Sequence, residues 1–255
     1  MGLFDFLRKK DKPAGDGEAA AAPGPSRGLE KAIKRLLNKY LQPEERWGAV
    51  QAVLDDDSEV AVDALLQRFT IYVEPSAQDN EEKEHIADAL ASRGEKILPQ
   101  VKKAMRKHES ISWLVRIAGR ILSRDALRDL LLEILGEFDT EYERNPERKI
   151  EVILSLAEFP GEETAKAVIP FVEDVNETAR FQAVSTLFAA KSELAREPVI
   201  KAFLAEESVR VRTAILEGLI ASEWPVTGHR GEIEKALPKG YLIDRAGVIK
   251  KRPKA

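Results

Sequence analysis

The chain has 255 residues, of which 44% are apolar, 33% charged and only 6% aromatic, and it contains no cysteine. Its length allows a sizeable core, and the missing thiols exclude disulfides, thiolate metal sites and cysteine nucleophiles. The net charge of −4 hides a division: residues 1–28 hold five basic and four acidic groups and residues 245–255 five basic and none acidic, which leaves −10 on residues 29–244. Phosphate neutralisation needs surplus Lys and Arg, so nucleic acid is not an expected partner of such a body.

Residues 1–12 are apolar and then basic. On a helix, Leu3, Phe4, Phe6 and Leu7 would share one side, with Arg8, Lys9, Lys10 and Lys12 following them. Aromatic and leucine side chains beside a basic cluster suit an anionic membrane surface or a partner groove, and a segment this short would attach only weakly. The order is the reverse of a signal peptide, whose basic residues come first. No stretch approaches the ~18 apolar residues of a membrane span. The expectation is a cytoplasmic protein with peripheral membrane or partner contact through this peptide. Residues 13–28, built from Pro, Gly, Ala and a few charges, have no hydrophobic period and read as a flexible linker spanning roughly 20–25 Å r.m.s..

Residues 29–223 are expected to be helical throughout, and they repeat. From Arg46, the residues Ala49, Val50, Ala52 and Val53 lie on one helical face. The same offsets from Lys83, Val115, Lys149, Arg180 and Arg212 select apolar or small residues each time. These six anchors are spaced 37, 32, 34, 31 and 32 residues apart, the regularity of a helical repeat array. A second apolar helix falls between anchors, over 60–69, 97–105, 126–135, 164–172 and 198–204. The links are short and polar, which makes neighbouring helices antiparallel.

The run Ala167-Val168-Ile169-Pro170-Phe171-Val172-Glu173-Asp174, followed by Ala179-Arg180 and Ala183-Val184, resembles a HEAT repeat. Glu197-Pro198-Val199-Ile200 through Val211-Arg212 resembles the next one, and Leu98-Pro99-Gln100-Val101 echoes the same proline. The resemblance covers roughly residues 40–223, strongest in the last two repeats; Val115 stands where a basic residue is usual. It implies an all-α fold, a right-handed α-solenoid of about six HEAT-like pairs whose second helices line the concave side. It also implies a habit of binding protein, not a particular function.

Residues 224–255 form the last part. Tyr241-Leu242-Ile243 and Val248-Ile249-Lys250 flank Asp244-Arg245-Ala246-Gly247, the signature of a type I turn closed by a left-handed glycine. A small β-hairpin capping the last repeat is expected, followed by a basic tail.

Catalytic signatures are missing from the sequence. The histidines His85, His108 and His229 do not pair at ligand spacing, and Asp55-Asp56-Asp57 fits helix capping better than cation binding. There is no nucleophile elbow, phosphate loop or dinucleotide fingerprint. No cofactor or metal is expected, and the chain reads as a non-catalytic scaffold or adaptor that binds protein. The alternative is a HEAT-like enzyme acting on nucleic acid in the manner of a DNA glycosylase, with Trp47 and Trp113 at the lesion, or a pigment lyase or chaperone. Both tryptophans flank apolar faces and are expected to pack. The densest basic patch of the body, Lys102, Lys103, Arg106 and Lys107, is the candidate docking spot for an acidic partner, beside the terminal peptide residues.

Overall fold

The computed structural model describes residues 25–252. The candidate residues Leu3, Phe4, Phe6, Leu7, Lys9 and Lys10, and all but the end of the expected linker, lie outside the described residues. Thirteen α-helices and a two-stranded antiparallel sheet make up the described part. A helix α1 (Arg27–Leu36) precedes the first anchor. Its Ser26 cap accepts the Leu29 N–H at 3.2 Å, and Leu29, Ile33 and Leu36 are buried against α2 and α3.

Six pairs follow in chain order. The first helices are α2 (Pro43–Leu54), α4 (Ser76–Ser92), α6 (Ser112–Ile121), α8 (Glu147–Leu156), α10 (Glu177–Ala190) and α12 (Val209–Ala221). The second helices are α3 (Glu59–Arg68), α5 (Leu98–Met105), α7 (Arg124–Leu135), α9 (Glu162–Val168), α11 (Arg196–Ala205) and α13 (Arg230–Ala236). The helices carry their own start signals: Ser58, Ser123, Asn176 and Ser208 cap α3, α7, α10 and α12 with side-chain oxygens on backbone N–H groups. The expected second helix over 164–172 begins two residues earlier and stops being α-helical at Val168. Pro170 lacks a donor and clashes with the turn behind it, so 169–173 tighten into a 3-10 turn.

Packing follows the order of the chain. α2 lies on α4, α4 on α6, α8 on α10 and α10 on α12, while α3 lies on α5, α7 on α9 and α11 on α13. The anchor faces point inward as the spacing requires: Ala49, Val50 and Val53, then Ile86, Ala87 and Leu90, then Val152, Ile153 and Leu156 are all buried, and so on to Ile215, Leu216 and Leu219. One register differs. In α6 the buried face is Leu114, Ile117 and Ala118, with Val115 only half-buried, so the third anchor is Leu114.

The anchors Arg46, Lys83 and Lys149 are held inside, and Arg180 and Arg212 are half-buried. Arg46 is buried, its Nε donates to Glu82 at 2.7 Å, and its Nη1 reaches back to the Leu41 carbonyl at 2.9 Å. Arg68 at the end of α3 is also buried. It donates to Glu82 at 2.6 Å, to Asp79 at 2.5 Å and to the Ile71 carbonyl at 2.8 Å. Lys83 closes the group on Asp79 at 2.7 Å. Farther on, Lys149 lies 2.6 Å from Asp174 and donates to the Asp139 carbonyl at 3.1 Å. Arg180 grips Glu206 through two nitrogens at 2.8 and 2.9 Å and also reaches the Asp174 carbonyl. Arg212 donates to the Glu206 carbonyl.

At the C-terminus, β1 (Tyr241–Ile243) pairs with β2 (Ile249–Lys251), Ile243 opposite Ile249. The turn is as expected: the Gly247 N–H donates to the Asp244 carbonyl at 3.1 Å, and Gly247 has φ of 83°. The hairpin packs on α12 through β2.

This packing sets the expected cost of single substitutions. A Cβ at Gly218 would fall inside the Phe188 ring, which fills the α10–α12 contact. Gly218→Ala is expected to cost about 1–3 kcal/mol by overpacking, read as a drop in melting temperature. Arg68→Ala leaves Asp79 and Glu82 short of a buried cation and is expected to cost about 3–5 kcal/mol in urea unfolding. Arg120→Ala, which removes an exposed pair with Asp88, is expected to stay within about 1 kcal/mol.

Candidate functional site

Along the second helices, polar side chains join one pair to the next. Arg106 of α5 meets Glu133 and Glu137 at 2.5 and 2.6 Å, Arg128 of α7 meets Glu163 at 3.3 Å, and Glu197 of α11 meets His229 at 2.9 Å. The seam between α3 and α5 is built differently. There Lys103 approaches Asp63 only at 3.6 Å, and a groove of about 250 Å³ opens between the helices. Leu66 and Ala104 contribute apolar surface to it, and Asp63, Gln67, Thr70, Gln100, Lys103, Lys107 and His108 supply polar groups.

Two of those groups are incompletely satisfied. Gln100 Oε1 and His108 Nδ1 are buried atoms with no hydrogen-bond partner among the described residues. Lys107 is exposed and makes no ion pair among the described residues. Burial, and then the neighbouring Lys107 charge, hold the His108 imidazole below its ordinary value of 6.5, while Asp63 opposes the shift. His108 is therefore neutral at neutral pH. Both walls of the groove are fixed from outside. Arg68 ties the turn after Thr70, and the Arg148 guanidinium donates to the Arg106 carbonyl behind His108. Glu151 receives the Ser110 hydroxyl at 2.8 Å and the Ile111 N–H at 2.5 Å.

The structure thus separates the members of the basic patch. Lys103 and Lys107 line the groove; Arg106 is engaged by Glu133 on α7 and Glu137 just beyond it, and Lys102, half-buried, is not among the lining residues. Asp63, Gln67, Gln100 and His108 carry no sequence signal that joins them to the lysines, because they come from two helices and a turn that only packing brings together. Trp113 is half-buried and stacks on Phe69 at 5.7 Å between centroids, and Trp47 lies 4.9 Å from the His85 ring while remaining 39% exposed. Asp56 of the aspartate triplet accepts the Ser58 N–H at 2.9 Å in the turn before α3. Among the described residues no three His, Cys, Asp or Glu side chains group as metal ligands, and no helix is long and apolar enough to cross a membrane.

No protein-family model matches the chain, and no curated protein matches it.

The depressed His108 value gives a signed pH dependence. Well above pH 6.5 the imidazole is neutral in both folded and unfolded chain and contributes no slope. Below it the unfolded chain takes up the proton first, so stability falls as the pH drops from 6.5 toward the folded value. His108→Gln is expected to reduce the loss of stability between about pH 7 and pH 5, measured as the shift of urea midpoint in variant and parent.

Proposed function

We propose that the chain is a non-catalytic protein-binding scaffold, a right-handed solenoid of about six HEAT-like helical pairs whose second helices present the binding surface. The observation that carries this reading is the contact pattern, in which first helices pack in the sets α2–α4–α6 and α8–α10–α12, and second helices in α3–α5, α7–α9 and α11–α13. Such stacking buries one face of every pair and leaves an extended row of helices for recognition. The basic anchors of α2, α8, α10 and α12 support the same reading, because each ties its helix to the turn that leads into it. The apolar and basic peptide at residues 1–12 recruits the scaffold to a membrane surface or to a second partner, and the cytoplasm is its site of action.

Affinity capture with the full chain and with a version lacking residues 2–12 tests both halves of the proposal. The expected result is that the same solenoid partner is retained by both baits, while the fraction of protein sedimenting with membranes falls in the deletion. A full-length bait that retains nothing beyond an acidic control protein of equal charge overturns the scaffold reading. Unchanged partners and unchanged sedimentation in the deletion overturn the recruiting role of the peptide.

A further inference from the structure

We infer that the α3–α5 groove is a docking site for a short acidic segment of a partner polypeptide, seating one carboxylate side chain between Lys103 and Lys107. This deepens the scaffold reading and rests on it. The chemistry of the lining selects the ligand. Lys103 is loosely engaged by Asp63 at 3.6 Å, and Lys107 makes no ion pair among the described residues, so both ammonium groups have donors to give to an anionic oxygen. Gln100 Oε1 is a buried acceptor without a donor among the described residues, and burial of an unpaired acceptor is unfavourable. A free inorganic anion offers at most a hydroxyl donor and has no backbone N–H to extend along the groove. A polypeptide brings both: a side-chain carboxylate for the lysines and a backbone N–H for the glutamine oxygen. Leu66 and Ala104 also line the groove, both almost fully buried, so the contact surface is set mainly by the polar side chains.

Size and charge narrow the class further. The groove, about 250 Å³, falls below the ~300–1,000 Å³ usual for small-molecule sites and suits one or two side chains. The surrounding body carries −10 over residues 29–244, which repels long acidic tracts at a distance. A segment with one or two carboxylates gains the local lysine contacts without that penalty.

The test uses the full chain and an N-acetylated, C-amidated pentapeptide containing two glutamates and a leucine, with a glutamine version of the peptide and inorganic phosphate as controls. Binding is followed by calorimetry and by the amide signals of Gln100, Lys107 and His108. The expected outcome is binding of the glutamate peptide with shifts at those signals, binding about tenfold weaker or worse for the glutamine peptide, and no displacement by equimolar phosphate. The double variant K103Q/K107Q is expected to lose on the order of tenfold in affinity with its urea midpoint unchanged, since both side chains are exposed. Absent binding, equal affinity for the two peptides, displacement by phosphate, or unaltered affinity in the double variant would each overturn the assignment. Capture with K103Q/K107Q separates the two levels of the argument: partners retained in full sink the groove and spare the scaffold, whereas an intact chain that captures nothing sinks the scaffold itself.

Discussion

A buried or half-buried cation reaching back to the carbonyl of the turn that leads into its own helix is the contact on which four of the helix pairs depend. Arg46 does this to Leu41, Lys149 to Asp139, Arg180 to Asp174 and Arg212 to Glu206. Turn carbonyls near helix ends lack helical partners, and an apolar side chain at the same place could not supply one. Burying the charge is tolerable only because carboxylates from other elements neutralise it: Glu82 and Asp79 on α4, Asp174 and Glu206 in the turns before α10 and α12. At Arg46, Lys149 and Arg180 this ties three things at one point, a first helix, its incoming turn and an acid from a neighbouring element, so that adjacent pairs are set in register as well as packed.

Much of this architecture is written in the chain. The recurrence of Arg or Lys every thirty-odd residues can be read directly from the order of the amino acids, and so can the apolar offsets that follow each one. The hairpin around Asp244 and Gly247 is equally local, since turn chemistry needs only four residues. What the period conceals is its own exception. Aligning Val115 with the basic anchors keeps the spacing tidy, but the side chain that occupies the buried position is Leu114. With no cation there, the turn into α6 is held from the next repeat instead, by Glu151 on Ile111 N–H and the Ser110 hydroxyl. A one-residue slip of this kind is masked in the apolar pattern, because Ala118 and Ile121 fall on the repeat's offsets in either alignment, and only contact decides it.

The groove was legible by half. Four basic residues within 102–107 mark the surface of α5, and two of them do line the cavity. The sequence holds no sign that Arg106 is claimed by α7, or that Asp63 and Gln67 face the lysines from another helix, because both depend on how neighbouring pairs stack. The same holds for Gln100 and His108. Their unmet atoms are a property of the packed seam, and neither residue type at those positions carries a periodic or motif signal.

The two features are mechanically joined. Arg68 is flanked in sequence by Gln67 on the groove and Phe69 in the core, and its three donor contacts fix both the end of α3 and the turn after Thr70. The opposite wall, from Gln100 to His108, ends in a turn clamped by Arg148 and Glu151 from α8. Neither wall is therefore free to close onto the unmatched atoms of Gln100 and His108. With the ionic contacts holding the walls apart, the groove is already open when a segment of suitable chemistry enters. The same buried charges that set the register of the helix pairs thus preorganise the seam that has something left to bind.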